Sequence, residues 1–403
     1  MRAEEFTDDA PGMLVPIPRP ATEAVRAAVT GTSAPTAELT AFLPDPLPPA
    51  VPYDATLAAA VGRAMLALGQ LDAILHDLPN PSLLVRPLLR REAVESSRIE
   101  GTVATLDDLV VFAEAGGAEG GQDGDVLEVK NYLDALEYAL AQPPDRPVSA
   151  GFIRDLHTIL LQGVHGEDQE PGRVRTRQNF IGRPGSGIDQ ARYVPPPPWQ
   201  VDGLLSDLER YLRGDDEHAP LVRIALAHYQ FEAIHPFLDG NGRVGRLLVA
   251  LLLQRWGVME YPAVDVSAYV ARHRQDYLDR LLGVSQRGDW RGWIDFFLAA
   301  VETQGRDAAR RSRALLDLRR EYGRTLRRES RAVGLDALLD RLFERTTVTA
   351  RQASELLGVS FTTAQGLIQR LEGRGVLEEA TGRRRDRVYR ARQVIAVLDG
   401  RRG

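Results

Sequence analysis

The sequence predicts a mainly α-helical protein with one β-hairpin and a small mixed module at its C-terminal end. Three observations carry that prediction. Apolar residues recur at three- and four-residue spacing through most of the chain from Tyr53 onward, strand signals concentrate in one stretch near residue 190, and the charge balance changes sign near Arg341.

Taken in order, residues 1–52 hold PGMLVPIPRP and LPDPLPPAVP with little periodicity, and read as a Pro-rich extended arm. A helix is predicted from near Tyr53, where Leu57, Val61, Ala64, Leu68, Leu71 and Leu75 share a face. A second covers about Pro87 to Glu100, and Gly101 stops it. With the Gly-rich AGGAEGGQDGD at 115–125, these make residues 53–124 an N-terminal helical region. Helices predicted over 127–141, 149–162, 201–212, 221–234, 242–256, 268–285 and 290–320 make residues 125–320 the core. Among them, NFIGRPGSGIDQARYVPPPP at 179–198 reads as two short strands around a Gly-rich tip, stopped by four prolines. Residues 321–403 form the last module, where TARQASELLGVSFTTAQGLIQRLEGRGVLEEATGRRRDRVYRA gives helix, turn at Gly358, helix, and two strands around a basic loop.

Composition narrows the class. The 403 residues are 44% hydrophobic and 26% charged, ordinary for a globular protein with room for two or three domains. The absence of cysteine rules out disulfides and thiolate metal sites and suits a reducing compartment. The N-terminus MRAEEFTDDAPG lacks a basic start before an apolar core, and no uninterrupted apolar run of roughly 18 residues is evident, so the expectation is a cytoplasmic chain without a membrane span. From Arg341 onward 13 Arg and Lys face 7 Asp and Glu, a net of +6 within a total of −6, which leaves −12 for the rest.

The densest chemistry is HPFLDGNGRVGR at 235–246. Gly240, Gly242 and Gly245 spell a dinucleotide fingerprint, and Glu260 lies 20 residues past Gly240. That reading fails because the fingerprint needs a buried strand before the first glycine. Here FEAIHPFLDG leaves an amphipathic helix and contains a proline. A different reading fits every residue. Gly240 and Gly242 allow a tight turn and close approach to a ligand, and Gly242 opens a helix whose first N–H groups lack internal partners. Arg243 and Arg246 lie three apart on the first turn, so both guanidinium groups can fork onto phosphate oxygens. Asp239 would repel those phosphates unless a Mg²⁺ bridged them. His235 has the pKa range for accepting a proton near neutrality. Each residue alone has a structural explanation; twelve positions that combine into one polyphosphate site make that explanation the weaker one.

The stretch resembles the signature of the Fic family, HPFx(D/E)GNGRxxR, at every fixed position, and the similarity extends through EAVESSRIEGTVATL, the hairpin ending in YVPPPP and LAHYQFEAIHPFLDGNGRVGRLL. The resemblance implies a Fic-type helical core with a β-hairpin flap, and transfer of AMP from ATP to a hydroxyl side chain of a target protein. By position it makes His235 the base and has Asp239 hold Mg²⁺ against the α- and β-phosphates. Asn241 and the backbone near Gly240 and Gly242 steady the α-phosphate, Arg243 binds farther along, and Arg246 receives the γ-phosphate. Family members with Lys in place of Gly242 are kinases of protein targets, so glycine favours nucleotidyl transfer. Removal of AMP by the same site is a further activity that the motif admits. SSRIEG at 96–101 resembles the family's inhibitory motif (S/T)xxxE(G/N), which implies that Glu100 pairs with Arg246 and blocks productive ATP binding, with Ser96 and Gly101 completing the motif.

The hairpin at 179–198 is expected to dock the target through its strand edge. The tail resembles a winged helix. Arg383, Arg384, Arg385 and Arg387 are placed to meet phosphates, so residues 350–392 are a candidate nucleic-acid surface. Its second helix nevertheless offers Thr362, Thr363, Gln365 and Gln369 with one arginine, Arg370, which favours protein docking or a homodimer. The alternative reading of the whole chain is a DNA-binding regulator whose core senses a nucleotide.

Overall fold

A computed structural model describes residues 3–18, 39–106, 108–109, 123–164, 169–183, 185–329, 334–382 and 387–400. In chain order the elements are β1 (Gly12–Ile17), β2 (Leu39–Pro44), α1 (Ala55–His76), α2 (Ser82–Ile99), α3 (Asp123–Leu140), α4 (Ala150–Leu160), α5 (Pro198–Arg213), α6 (Pro220–Ile234) and α7 (Asn241–Arg255). There follow α8 (Val266–Arg272), α9 (Arg274–Arg287), α10 (Trp290–Glu329), α11 (Leu335–Arg345), β3 (Thr347–Thr349), α12 (Ala350–Leu357), α13 (Phe361–Gly373), β4 (Glu378–Glu379), β5 (Val388–Arg390) and α14 (Arg392–Asp399). The described residues are thus mainly helical with two small antiparallel sheets, and they cluster into two units.

The first unit is Met1–Val61, Ala135–Trp256 and His273–Ala299. Its centre is α6, a helix buried on nearly every side, which starts with Pro220 in its first turn where no internal N–H is needed. α6 and α7 approach so closely that a Cβ on Gly245 would lie 2.3 Å from Glu232 Oε1. Trp293 is buried against the same helix, donating from Nε1 to the Ala225 carbonyl (2.8 Å) and stacking on His228. The Pro-rich arm is more ordered than expected. β1 and β2 pair antiparallel from Gly12↔Pro44 to Ile17↔Leu39, and Pro16 is tolerated because β1 is an edge strand. Residues 19–38 of that arm lie outside the described residues. The hairpin at 179–198 also differs: the chain doubles back as expected, but through a single antiparallel bridge, Ile181↔Tyr193, and a 3₁₀ turn at Ile188–Gln190 instead of two strands.

The second unit is Gly62–Asp134, Gly257–Arg272 and Ala300–Gly403. The expected apolar stripe of α1 is buried, and this helix is long and apolar enough to cross a bilayer by length and composition alone, although Arg63 and Asp72 interrupt its apolar run. Its Arg63 pairs with Glu302. α2 begins at Ser82, before Pro87, because a proline early in a helix forfeits one hydrogen bond while Leu83, Leu84 and Leu88 gain burial. α2 is anchored by Glu92, which is fully enclosed and accepts from the Tyr132 hydroxyl (2.9 Å) and from the hydroxyl and amide of Ser267 (2.5 and 3.1 Å). The predicted helix 268–285 is two helices broken at His273, and the helix predicted to end at 320 continues to Glu329.

In the tail, Thr349 and Gln352 form a capping box on α12, left-handed Gly358 ends it, and Ser360 caps α13. A three-residue strand, β3, was too short to predict and joins the two expected strands in the order β3-β5-β4. Arg383, Arg384 and Arg385 lie outside the described residues, whereas Arg387 is exposed.

Candidate active site

The loop 235–240 joins α6 to α7, and its path is set by residues far away in sequence. His235 ends α6 in the left-handed region (φ 49°, ψ 61°), which is uncommon for a residue other than glycine, and its N–H still donates to the Phe231 carbonyl (3.0 Å). Pro236 then prevents continuation of the helix. The last carbonyls of a helix lack internal donors. Here side chains supply them: Arg175 donates to the carbonyls of His235 (2.8 Å) and Ile234 (3.4 Å), and the Tyr193 hydroxyl donates to that of Ala233 (2.8 Å). A guanidinium at this end also suits the helix dipole. Its burial pulls Arg175 down to about 10, so it stays charged at neutral pH.

Phe237 is driven into the core and lies flat on His157, with ring centroids 3.8 Å apart. Asn241 brackets the Phe237 backbone, accepting from its N–H (2.9 Å) and donating to its carbonyl (2.8 Å). Its amide therefore acts first on the loop. The Gly172 N–H donates to Nδ1 of His157 (2.8 Å), which puts the ring proton on Nε2, from where it is donated to the Asp239 carbonyl (3.0 Å). Burial lowers the pKa of His157 to about 4, so it is a neutral brace. Gly240 makes the final turn at φ 76°, and α7 begins at Asn241. Gly242 sits inside the first turn of α7, so the tight turn belongs to His235 and Gly240, a correction to the expectation that Gly242 opens the helix.

Charge is arranged unequally along this junction. Arg243 and Arg246 are only 3% and 4% exposed, which removes the reading of two solvated arginines on a helix face. Asp239 is the open group: its side chain is 48% exposed, its Oδ1 accepts from the Gly240 N–H (2.6 Å), and its Oδ2 lies 3.6 Å from Arg243 Nη2. Among the described residues no group of three or more His, Asp or Glu side chains gathers to hold a metal. One open carboxylate fits a hydrated divalent ion that takes its other oxygens from a polyphosphate.

Beside the junction, an open cleft is lined mainly by apolar surface, including Ile181 and Tyr193 of the doubled-back segment, Glu232 of α6 and Tyr277 and Leu281 of α9. His235, Asp239, Gly240, Asn241, Gly242, Arg243 and Arg246 thus share one loop–helix junction in the first unit. Ser96, Glu100 and Gly101 belong to the second unit: Ser96 is buried, Glu100 is the exposed C-cap of α2, and Gly101 turns left-handed at φ 108°, as its place after the helix required. His157, Arg175 and Tyr193 were not foreseen as site residues. A lone histidine on an amphipathic helix carries no signal of a loop 82 positions away.

Comparison with known proteins places these observations. Residues 58–141 match the model of the Fic/DOC family N-terminal region and residues 147–253 that of the Fic/DOC family. A protein adenylyltransferase Fic of Nematostella vectensis is 28% identical over 272 residues, covering 62% of this chain and 59% of the relative. Protein adenylyltransferase fic-1 of Caenorhabditis briggsae is 26% identical over 263 residues, 56% of this chain and 48% of the relative. The chain therefore spans about half the length of the curated relatives it matches. A Fic family protein of Desulfovibrio desulfuricans has a similar fold, with a TM-score of 0.55 and 24% identity over 86% of this chain and 98% of that one. A Fic-domain signaling protein of Bacteroides thetaiotaomicron gives a TM-score of 0.52 and 21% identity over 62% and 97%.

Proposed function

The chain belongs to the Fic/DOC family, and we propose that it is a protein adenylyltransferase moving AMP from ATP to a hydroxyl side chain of a target protein. The observation that carries this reading is the junction at 235–246: a half-buried histidine, an open aspartate, and two arginines withdrawn from water at the start of one helix. Two guanidinium groups at the start of a helix fix positive charge where phosphate oxygens can be met by charge-assisted hydrogen bonds.

In the proposed reaction the target hydroxyl oxygen bonds to the α-phosphorus, the bond from that phosphorus to the bridging oxygen breaks, and pyrophosphate leaves. The hydroxyl proton passes to His235. Arg175 fixes the backbone from which His235 acts, and the Asn241 bracket fixes the loop that presents the first amides of α7 to the α-phosphate. Arg243 binds farther along the phosphates and Arg246 receives the γ-phosphate. Mg²⁺ held by Asp239 would neutralise charge that develops on the departing pyrophosphate.

Two finer readings accompany this one. Ser96, Glu100 and Gly101 form an inhibitory motif in which Glu100 competes with the γ-phosphate for Arg246; the buried serine and the helix end at Glu100 support it. The tail is a winged-helix module that docks protein, a reading favoured by Leu356 and Phe361, which are 46% and 55% exposed on α12 and α13. Retention of duplex DNA at physiological salt would overturn the docking assignment.

The test of the central reading is incubation with Mg²⁺ and ATP labelled in its α-phosphate, following transfer to the protein itself and to lysate proteins. His235→Ala should still bind ATP, while transfer falls by about 10²–10⁴-fold. Near-normal labelling by that variant would sink the mechanism.

A further inference from the structure

The doubled-back segment 180–196 is held by one β-bridge, and a two-stranded ribbon of that size has little stability by itself. Something else must fix its shape. On one side of β2 lies β1; on the other, the Phe42 N–H donates to the Val194 carbonyl (2.9 Å), so the returning limb of the flap continues the N-terminal ribbon laterally. The two share a core, in which Ile17, Leu39 and Ala41 of the ribbon pack with Ile188, Ala191 and Val194 of the flap. Phe42 has no exposed surface, and its ring centroid lies 6.2 Å from that of Tyr193.

The returning limb is clamped toward the reaction centre as well. Tyr193 donates to the Ala233 carbonyl two residues before His235, Arg175 bridges the carbonyls of Pro196 and His235, and Gln178 donates to the Pro195 carbonyl. Buried, the Tyr193 hydroxyl is pushed far above its ordinary pKa and keeps the proton it donates. With the returning limb fixed on both flanks, the outgoing limb at 180–182 hangs from it through the hydrogen bonds of Ile181 with Arg192 and Tyr193. The ribbon lies outside the residues matched by the family models.

We propose that the N-terminal ribbon is the mount of the acceptor-docking flap, with Phe42 as the positioning residue that sets the flap relative to His235. The role in catalysis rests on the adenylyltransferase reading; the mechanical role does not. An extended acceptor can add to the 180–182 edge only while that edge is held in register, and a displacement of about 1 Å at a reacting centre costs on the order of 10²-fold in rate.

The test uses the full chain with Phe42→Ala, the conservative Phe42→Leu, and Ile17→Ala as a milder lesion should Phe42→Ala not fold. Amide hydrogen exchange is read at Ile181, Arg192 and Tyr193, with Val244 in α7 as the internal control. Exchange at the three flap amides should accelerate about tenfold or more while Val244 is unchanged, with Phe42→Leu in between. Self-labelling with AMP should fall by about tenfold or more at unchanged ATP affinity measured by calorimetry. Flap exchange that stays at the wild-type rate in a folded variant, or that rises equally at Val244, overturns the mount. A loosened flap with undiminished transfer overturns the positioning role. If even the Glu100→Gly chain transfers no AMP, the adenylyltransferase reading fails and the exchange data alone decide the mount.

Discussion

His157 and His228 show how single buried residues hold a reactive loop without touching a ligand. Both are pulled down to about 4 by burial, and each donates to a main-chain carbonyl: Asp239 from Nε2 of His157, and Gly245 from Nδ1 of His228, whose Nε2 accepts from the Tyr277 hydroxyl. The folded-state pKa lies below the unfolded value of about 6.5, so the unfolded chain takes up protons that the native chain refuses. Stability is whole above about pH 6.5 and is lost as pH falls toward 4, by about 3 kcal/mol for each histidine once the transition is complete. His157→Gln removes one such proton. Its urea midpoint should be lower at pH 7.5 through loss of the stacked ring, yet should fall less than that of the wild type between pH 7 and 5. Parallel pH profiles would show that His157 is not titrating against the fold. Sequence made the twelve contiguous motif residues legible because their chemistry is complementary at short range. It could not disclose His157 or Arg175, which act across 82 and 60 positions.

At the scale of elements, the sequence predicts α2 and the flap in kind but not in form. The proline rule delayed the start of α2 to Pro87, whereas burial of Leu83 and Leu84 extends the helix back to Ser82. The glycines and prolines of the flap marked a reversal of the chain, but the missing strand partners came from an arm whose prolines had masked two six-residue strands. α2 ends where its sequence says it should, at Gly101, and leaves Glu100 as a cap at the electronegative end of a helix. A carboxylate so placed gains from a cationic partner, and in the proposed inhibition Arg246 is that partner. Glu100 is exposed, so the effect is scaled to a charged hydrogen bond and not to a buried ion pair: Glu100→Gly should raise self-labelling with Mg²⁺ and ATP roughly 5- to 150-fold. Equal initial rates for wild type and variant would remove Glu100 as a brake.

For the molecule as a whole, the change of charge near Arg341 suggests a separate C-terminal module. The second unit argues otherwise. Asn80 and Arg90 beside and within α2 donate to the Glu344 side chain and carbonyl at the end of α11 (2.7 and 2.9 Å), Arg311 donates to the carbonyls of Val397 and Leu398 (both 2.7 Å), and Tyr322 donates to Gln393 (2.8 Å). Composition registers a shift in charge but not the apolar and main-chain contacts that bind a basic tail to an acidic body. Deletion of residues 330–403 therefore strips the packing from the helix that carries Ser96 and Glu100. The truncated chain should melt several degrees lower and, in the proposed inhibition, self-label faster than the full chain because α2 no longer holds Glu100 in place. The sharper measurement is made in the Glu100→Gly background, where the brake is already gone: there the deletion should add little further rate, since two lesions in one device do not sum. Equal fold-increases in both backgrounds would show that the tail acts on the reaction by a route independent of α2.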